Sequence, residues 1–275
     1  MTVLRPLVEL VEPGLDEPLP LSLVLDRRKP VSDQIYVALK DAIVTLRLPP
    51  GTSISENRIC RHIGVSRTPV REAIIRLTED ELIDVFPQQG SFVSAIRVSK
   101  IRESHFIRKC LELGVLEKAV EHWSSQHAKE AERHLREQDL AVESGDRELF
   151  HARDEAFHRF LSSAADLNGV WNTIQGAKAR VDRLHRLAAF EGRLQQVVIE
   201  HRAVVDALNR HDKRGAIEAL DYHLDRILAL LDLLIEHNQQ YFVPAAELTL
   251  MPAVLTLKYR YKLPLLRLLF HNLLT

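Results

Sequence analysis

Three segments of the chain place a histidine on an otherwise apolar helical stripe. In LFHARDEAFHRFL, Asp154 and His158 lie one turn apart on the apolar side, and His201 and His223 are the odd polar members of two later stripes. The apolar members of the three stripes are Phe150, Phe157 and Leu161; Leu194, Val198, Val205 and Leu208; and Ala216, Leu220, Ile227 and Leu231. The pattern predicts that three imidazoles and one carboxylate point into a helical core.

A buried polar set of this size is costly unless one partner satisfies its members together. Any single core histidine is more often a hydrogen-bonded residue than a ligand. Glu130 and His134 have the same spacing as Asp154 and His158 within the charged run AKEAERHLREQD, where we expect them to be exposed, so spacing alone does not identify a site. A divalent cation would satisfy three nitrogens and one oxygen and keep an open position. This donor set suits zinc best, with nickel or manganese as alternatives, and disfavours calcium.

An arginine occupies a similar position in an earlier segment. Arg108 shares a stripe with Ile101, Leu111 and Val115. A guanidinium that faces a cavity is well suited to bind a carboxylate through two parallel hydrogen bonds. The alternative is an internal salt bridge to one of the many acidic residues in this region. The first interpretation predicts a small carboxylate as effector.

A second kind of chemistry is indicated by VSRTPVREAIIRL, residues 65–77. Val70, Ile74 and Leu77 share one helical face, while Arg67 and Arg71 are four residues apart and are neighbours on another face. One face is therefore expected to pack and the other to remain charged.

The start of this helix and its charge favour phosphate. Pro69 falls in the first turn, and the hydroxyls of Ser66 and Thr68 lie near an N-terminus whose free amides attract anions. Residues 57–78 carry five arginines and one acidic residue, Glu72, a local charge of +4 in a protein whose net charge is −1. A solvated charged face is the alternative. The surrounding elements favour DNA, because a second helix, a glycine turn and a hairpin together form a major-groove reader.

The elements that position these residues follow from periodicity and breakers. A first helix is predicted to begin at Val31, with Leu46 as its last apolar member, and the Pro-Pro-Gly of residues 49–51 ends it. A short second helix follows the N-cap Ser55. Gly64 separates this helix from a third helix, which is capped by Ser66. The stretch LIDVFPQQGSFVSAI predicts a hairpin around residues 88–90. Six or seven amphipathic helices then extend to about residue 241. We therefore predict a mainly α protein, with a winged helix-turn-helix over residues 31–96 and an all-α bundle over residues 99–243.

The ends of the chain and its composition complete this picture. The prolines of residues 1–30 predict a flexible arm. Residues 244–275 are basic and rich in leucine, and three interpretations fit them: an element packed on a partner subunit, a poorly ordered extension or a membrane-surface helix. Cys60 and Cys110 are the two cysteines and lie too far apart for a CxxC motif, which argues against a disulfide scaffold. The sequence has neither a signal-peptide pattern nor an apolar span, which predicts a cytoplasmic protein.

The segment SENRICRHIGVSRTPVREAIIRLTEDELIDVFPQQGSFV resembles the winged helix-turn-helix of the GntR family of bacterial transcription regulators. The resemblance covers about residues 31–96 and implies that Arg67, Thr68 and Arg71 touch DNA and that Gly90 turns the wing into the minor groove. We add Ser66 and Arg58 to the predicted DNA-binding set, listed in full as Arg58, Ser66, Arg67, Thr68, Arg71 and Gly90. Two departures matter: Asn57 stands where the family often has an arginine, with Arg58 displaced by one, and Gln89 replaces a common basic residue. Base preference is therefore expected to differ from the commonest operators.

The segments RKCLE, DEAFH, EHRAVVDAL and ALDYHL resemble the helical ligand-binding domain of the FadR subfamily, the FCD domain, in its metal-containing variant. This resemblance implies that Asp154, His158, His201 and His223 bind the metal and that Arg108 pairs with a carboxylate effector. It extends over about residues 99–243 and does not cover the tail.

These observations together predict a homodimeric, metabolite-responsive regulator that binds a palindromic or near-palindromic operator. A metal-dependent enzyme acting on a small carboxylate is the alternative, since an open metal site beside an arginine can also polarise a substrate. No general base has a defined place near the four predicted ligands, which disfavours that alternative. An architectural DNA binder without effector would leave the inward-facing polar residues unexplained.

Overall fold

The computed structural model describes residues 19–190 and 192–243. The first domain contains three helices and three short strands: α1 Val31–Val44, β1 Ser53–Ile54, α2 Glu56–Ile63, α3 Arg67–Glu79, β2 Ile83–Phe86 and β3 Gly90–Val93. Helix α1 is shorter than predicted. Leu46 lies beyond its end with a φ of 60°, and its N–H bonds back to the carbonyl of Ile43, which closes the helix before the prolines are reached.

The helix-turn-helix forms as the sequence predicts. The Ser55 hydroxyl accepts a hydrogen bond from the N–H of Arg58 at 3.4 Å and so caps α2. Gly64 ends α2 in the left-handed conformation, with a φ of 77°, which reverses the chain toward α3 at little steric cost. The apolar face of α3 is buried against α1 and supplies the core of the domain: Val70, Ile74 and Leu77 with Ile35 and Leu39.

The wing is a three-stranded sheet rather than a hairpin alone. Strands β2 and β3 pair antiparallel around the predicted turn, with Phe86 opposite Gly90, and β1 adds to the other edge of β3 to give the order β1-β3-β2. The extra strand comes from two residues just before α2, too few for a period-two pattern to stand out.

The second domain is all-helical, as predicted. Its described part contains seven α-helices and a final 3₁₀ turn: α4 Val98–His122, α5 Ser125–Glu143, α6 Arg147–Ala164, α7 Asn168–Leu187, α8 Arg193–Asn209, α9 Lys213–Ala229, α10 Leu231–His237 and Gln239–Tyr241. The main core lies between α4, α5, α6, α8 and α9, and Phe157, Val205 and Leu220 are completely or almost completely buried in it. These helices present the predicted polar residues to one another.

The prediction of a flexible arm over residues 1–30 is wrong at residues 19–21, where the described chain begins. Leu19 and Leu21 are buried in the core of the first domain, and the Leu21 carbonyl lies 3.1 Å from Nε2 of His62. Burial of these two leucines helps to dock this proline-rich segment, since each contributes about 1.5–3 kcal/mol. Residues 1–18 and the tail 244–275, with the roles predicted for them, lie outside the described residues. Within the described chain, no helix is both long and apolar enough to cross a membrane.

Helix α7 of the second domain contacts the DNA-binding domain. The guanidinium of Arg183, on α7, is buried and donates a 2.8 Å hydrogen bond to the carbonyl of Ser94, just after the wing. Arg180, one turn earlier, lies 3.3 Å from Glu81, and Arg97 at the start of α4 pairs with Asp84 of β2 at 2.7 Å. The DNA-binding domain is thus held against α7 by a hydrogen bond from Arg183 and an ion pair of Arg180, and a further ion pair joins it to Arg97 just before α4.

Candidate functional site

Three helices of the second domain bring the four predicted metal ligands together. His158 on α6, His201 on α8 and His223 on α9 are buried and each offers a nitrogen within 4.8 Å of the other two. The Nε2 atoms of His201 and His223 are 3.3 Å apart. A carboxylate oxygen of Asp154 lies 3.7 Å from Nε2 of His201 and 4.0 Å from Nε2 of His158. The apolar stripes that carry these residues are buried as predicted, apart from the half-buried Leu194.

The opposite nitrogen of each imidazole is held by an oxygen acceptor. Nδ1 of His158 lies 2.6 Å from Glu112, Nδ1 of His201 lies 2.8 Å from the amide oxygen of Gln138, and Nδ1 of His223 lies 2.8 Å from Glu200. Since each of these partners accepts, each Nδ1 donates, which in a neutral ring leaves the lone pair on Nε2. Histidine ligands of metal sites are oriented in this way by outer hydrogen bonds.

Electrostatics gives these residues the protonation states that a cation requires. Burial lowers the pKa of His201 well below its usual value, and burial also lowers that of His223 although the hydrogen bond to Glu200 opposes the shift. Burial alone would raise the pKa of Asp154, but the neighbouring His158 and His201 hold it well below its usual value. The low pKa values of His201, His223 and Asp154 favour neutral rings for these two histidines and an ionised carboxylate, which fit a divalent cation with nitrogen and oxygen ligands.

The acceptor residues give the first prediction. Gln138→Leu removes the oxygen that fixes the ring of His201, and we expect it to weaken zinc binding by about 10–100-fold, the usual cost of losing such a partner. Isothermal titration of the metal-free protein with zinc measures the effect. Gln196→Leu is the matched control, because Gln196 is exposed on α8, the helix that carries His201. Equal zinc affinity in the two variants would contradict this role of Gln138.

Arg108 lies beside the histidine cluster and is completely buried. Its Nε donates to Glu112 at 2.5 Å, Nη2 lies 3.3 Å from Nε2 of His158, and Nη1 lies 3.1 Å from Nε2 of His185. The internal salt bridge therefore exists, and the guanidinium faces the cluster rather than an open cavity. Burial alone would lower the pKa of Arg108, but Glu112 raises it, so the guanidinium stays charged. Glu112 contacts both Arg108 and His158 and links the arginine to the cluster.

The expectation that Glu130 and His134 form an exposed pair is wrong for the histidine. His134 is buried, with its ring centroid 5.1 Å from that of Phe160, while Glu130 remains exposed at 43% of its side chain. His134 is buried because α5 packs on α6, and the charged local sequence gives no sign of this packing. His134 lies outside the triad of Nε2 atoms and provides a natural comparison for it.

The predicted DNA-contacting residues gather on one face of α3 and at the wing. Arg67, Thr68 and Arg71 are exposed, and Gly90 is exposed at the wing tip with a φ of 116°. Ser66 is exposed at the N-cap position of α3, as predicted, but its hydroxyl makes no capping hydrogen bond in the described structure.

Two features of this face were not predicted. Arg58 is half-buried rather than fully exposed. Glu56, at the start of α2, receives hydrogen bonds from Nε and Nη2 of Arg71, both at 3.2 Å. This bidentate pair fixes the direction in which the guanidinium of Arg71 leaves the helix. The sequence offered no signal for it, because the two residues are fifteen positions apart on different helices.

Both halves of the chain match known protein families. Residues 31–93 match the model described as bacterial regulatory proteins, gntR family, and residues 103–226 match the FCD domain. The HTH-type transcriptional repressor RspR of Escherichia coli K12 is 33% identical over 220 residues, which cover 79% of this chain and 96% of RspR. The chain belongs to the GntR family.

Other members agree with this assignment. An HTH-type transcriptional regulator from an unstable DNA locus of Streptomyces ambofaciens is 34% identical to this GntR protein over 213 residues, 77% of this chain and 89% of that relative. The solved structure of E. coli McbR/YncC has the same fold, with a TM-score of 0.64 at 24% identity over 74% of this chain and 97% of that one. This GntR protein is therefore a DNA-binding transcription regulator and not an enzyme.

Proposed function

We propose that this GntR regulator is a cytoplasmic homodimer of the FadR subfamily whose operator binding is controlled by a small carboxylate held beside a divalent metal ion in the FCD domain. One observation carries the proposal. His158, His201 and His223 offer ring nitrogens within 4.8 Å of one another, an oxygen of Asp154 lies 3.7 Å from Nε2 of His201, and Nη2 of Arg108 lies 3.3 Å from Nε2 of His158.

Asp154, His158, His201 and His223 would hold the ion, with zinc favoured over nickel or manganese by three imidazoles and one carboxylate. A bound ion supplies positive charge and an open coordination position for an oxygen ligand. The residues of the chain would do the rest: Glu112 holds the guanidinium of Arg108 in place, and its terminal nitrogens, which here contact His185 and His158, would turn N–H donors toward a carboxylate. The site is enclosed by helices, which strengthens such charge-assisted contacts.

On the DNA side, Arg67, Thr68 and Arg71 would contact the major groove, supported by Arg58 and Ser66, and Gly90 would turn the wing into the minor groove. Two copies of this reader related by a two-fold axis would bind a palindromic or near-palindromic operator. Effector and DNA must influence each other reciprocally, since each biases the same equilibrium between arrangements of the two domains.

The role of Arg108 gives a second prediction. Arg108→Lys keeps a cation beside Glu112 but loses the planar fork, so we expect zinc content to be unchanged and carboxylate affinity to fall about tenfold or more. The lysine variant is chosen because Arg108→Ala would remove the guanidinium from the buried carboxylate of Glu112 and leave it only His158, and breaking a buried ion pair costs about 3–5 kcal/mol. Arg102→Lys, at an exposed position on α4, is the control. Full carboxylate affinity in Arg108→Lys would rule out recognition by the guanidinium.

A combined measurement tests the proposed function. The purified regulator is analysed for metal and then screened by thermal shift against small carboxylates, once as the zinc form and once after chelation. We expect a subset of acids to raise the melting temperature of the zinc form alone, and the same acids to change affinity for an operator selected from random DNA. Stabilisation that is identical with and without metal would contradict the proposal.

A further inference from the structure

A small cavity lies where α7 and the start of α4 meet the DNA-binding domain, outside the histidine cluster. Its volume is about 10 Å³, which is what one water molecule or one small ion requires. The charged side chains that line it are unbalanced, with four cations against one acid: Arg97, Lys100, Arg180 and Arg183 against Glu81. The cavity is therefore strongly electropositive.

Arg183 is the lining residue whose hydrogen bonding is incomplete. Its residue is 2% exposed, and Nη1 donates to the carbonyl of Ser94, but Nε is buried without a hydrogen-bond partner in the described part of the chain. Burial lowers the pKa of Arg183 to about 10, and Arg97 adds to the shift, so the guanidinium stays charged near pH 7. A buried charge that meets only a neutral carbonyl is costly and calls for a counter-ion.

The carboxylates at this junction are engaged by other cations. Glu81 lies 3.3 Å from Lys100 and 3.3 Å from Arg180, and Asp84 lies 2.7 Å from Arg97. Nε of Arg180 is also buried without a hydrogen-bond partner among the described residues. These pairs use the nearby acids and leave the buried guanidinium on α7 without an ion-pair partner within residues 19–190 and 192–243.

The first turn of α4 adds backbone donors at the same place. Helix α4 begins at Val98, and Lys100 and Ile101 of its first turn line the cavity. The N-cap residue Arg97 makes no side-chain capping hydrogen bond, and the first turn contains no acidic residue. The N–H groups of a first turn lack partners within the helix and carry the positive end of its dipole, so they attract anions.

We propose that this cavity binds one monoatomic anion, such as chloride, between the guanidinium of Arg183 and the first turn of α4. A water molecule fits the volume but leaves the buried charge uncompensated, and a sulfate or phosphate group is too large for about 10 Å³. The bound ion neutralises α7 where it meets the DNA-binding domain and stabilises the docked arrangement of the two domains. This inference does not depend on the proposed metal or effector.

The NMR line width of chloride tests the site, because chloride that exchanges with a protein site gives a broadened resonance. Full-length protein carrying one equivalent of zinc is titrated with sodium chloride at constant ionic strength, with methanesulfonate as the replacing anion. We expect saturable broadening that bromide reverses by competition and that sulfate leaves in place. Chloride at about ten times its dissociation constant should also raise the melting temperature by about 3–5 °C.

Two variants remove the site in different ways. Arg183→Met removes the guanidinium charge, and we expect the saturable broadening and the chloride-dependent stabilisation to be lost. Ala95→Asp places a carboxylate in the cavity, since Ala95 lines it and is 3% exposed. It should also stop chloride binding, and in chloride-free buffer it should melt at a higher temperature than Ala95→Asn, which has the same shape without the charge.

Arg214→Met is the matched control for Arg183→Met, because it also removes one positive charge but at a side chain that is 89% exposed. It should bind chloride like the wild type, and broadening caused by chloride at the zinc ion would persist in every variant. The inference is overturned if Arg183→Met and Ala95→Asp broaden chloride as much as Arg214→Met, or if sulfate competes as well as bromide. Equal melting temperatures of Ala95→Asp and Ala95→Asn without chloride would also overturn it, since the cavity would then need no negative charge.

Discussion

His201→Ala should abolish stoichiometric metal binding. His201 is completely buried between His158 and His223, and its Nε2 is the nitrogen nearest to the carboxylate of Asp154. Loss of a direct ligand should cost more than the roughly 10–100-fold that loss of an outer partner costs. We expect the zinc retained after dialysis to fall from about one ion per chain in the wild type to below about a tenth of an ion per chain in the variant. Added zinc should raise the melting temperature of the wild type only, since a ligand stabilises the protein that binds it.

His134→Ala is the control for this variant. The ring of His201 stacks on Phe157 with centroids 4.3 Å apart, so its removal also leaves a cavity. His134 is also buried, and its ring centroid lies 5.1 Å from that of Phe160, but it is outside the histidine cluster. His134→Ala should lose stability and keep zinc. A His201→Ala protein that retains full zinc would show that the ion is held elsewhere.

Arg67→Ala and Arg71→Ala should each weaken operator binding by roughly 1–3 kcal/mol, the usual cost of losing an arginine that contacts bases. Both side chains are exposed on α3, and Glu56 holds Arg71 in a bidentate pair. The core beneath them is formed by other residues, so the fold and the melting temperature should be unchanged. Fluorescence anisotropy with a selected operator, at fixed salt because phosphate contacts depend on it, measures the loss.

Arg214→Ala provides the comparison for the DNA-binding variants. The side chain of Arg214 is 89% exposed at the start of α9 and pairs with Glu218 within its own helix. It should bind the operator like the wild type. If Arg67→Ala and Arg71→Ala bound as tightly as Arg214→Ala, α3 would not be the recognition helix.

The helices and the members of the histidine cluster were predictable because their signals are local. Val70, Ile74 and Leu77 lie on one face of α3 whatever the rest of the chain does, and all three are buried. His201 and His223 stood out as single polar residues in apolar stripes. The structure places them together with Asp154 and His158.

The residues that hydrogen-bond to the three histidine rings were not predictable in the same way. Glu112 lies 46 positions from His158, Gln138 lies 63 from His201 and Glu200 lies 23 from His223. Which helices pack together decides these pairs, and helical periodicity alone does not specify that packing. The docking of Leu19 and Leu21 and the burial of His134 were missed for the same reason: tertiary contacts override a local composition that is charged or rich in proline.

X-ray absorption at the zinc edge, on the full-length protein loaded with one equivalent of zinc, will show whether the three histidines and Asp154 hold the metal. Three imidazoles and a carboxylate predict nitrogen and oxygen neighbours at about 2.0–2.2 Å, with the multiple-scattering pattern of histidine rings. Adding a carboxylate that stabilises the protein should alter the oxygen shell and leave the imidazole pattern intact. A zinc spectrum without imidazole scattering, or one that is identical in His201→Ala, would show that the histidine cluster does not hold the zinc ion.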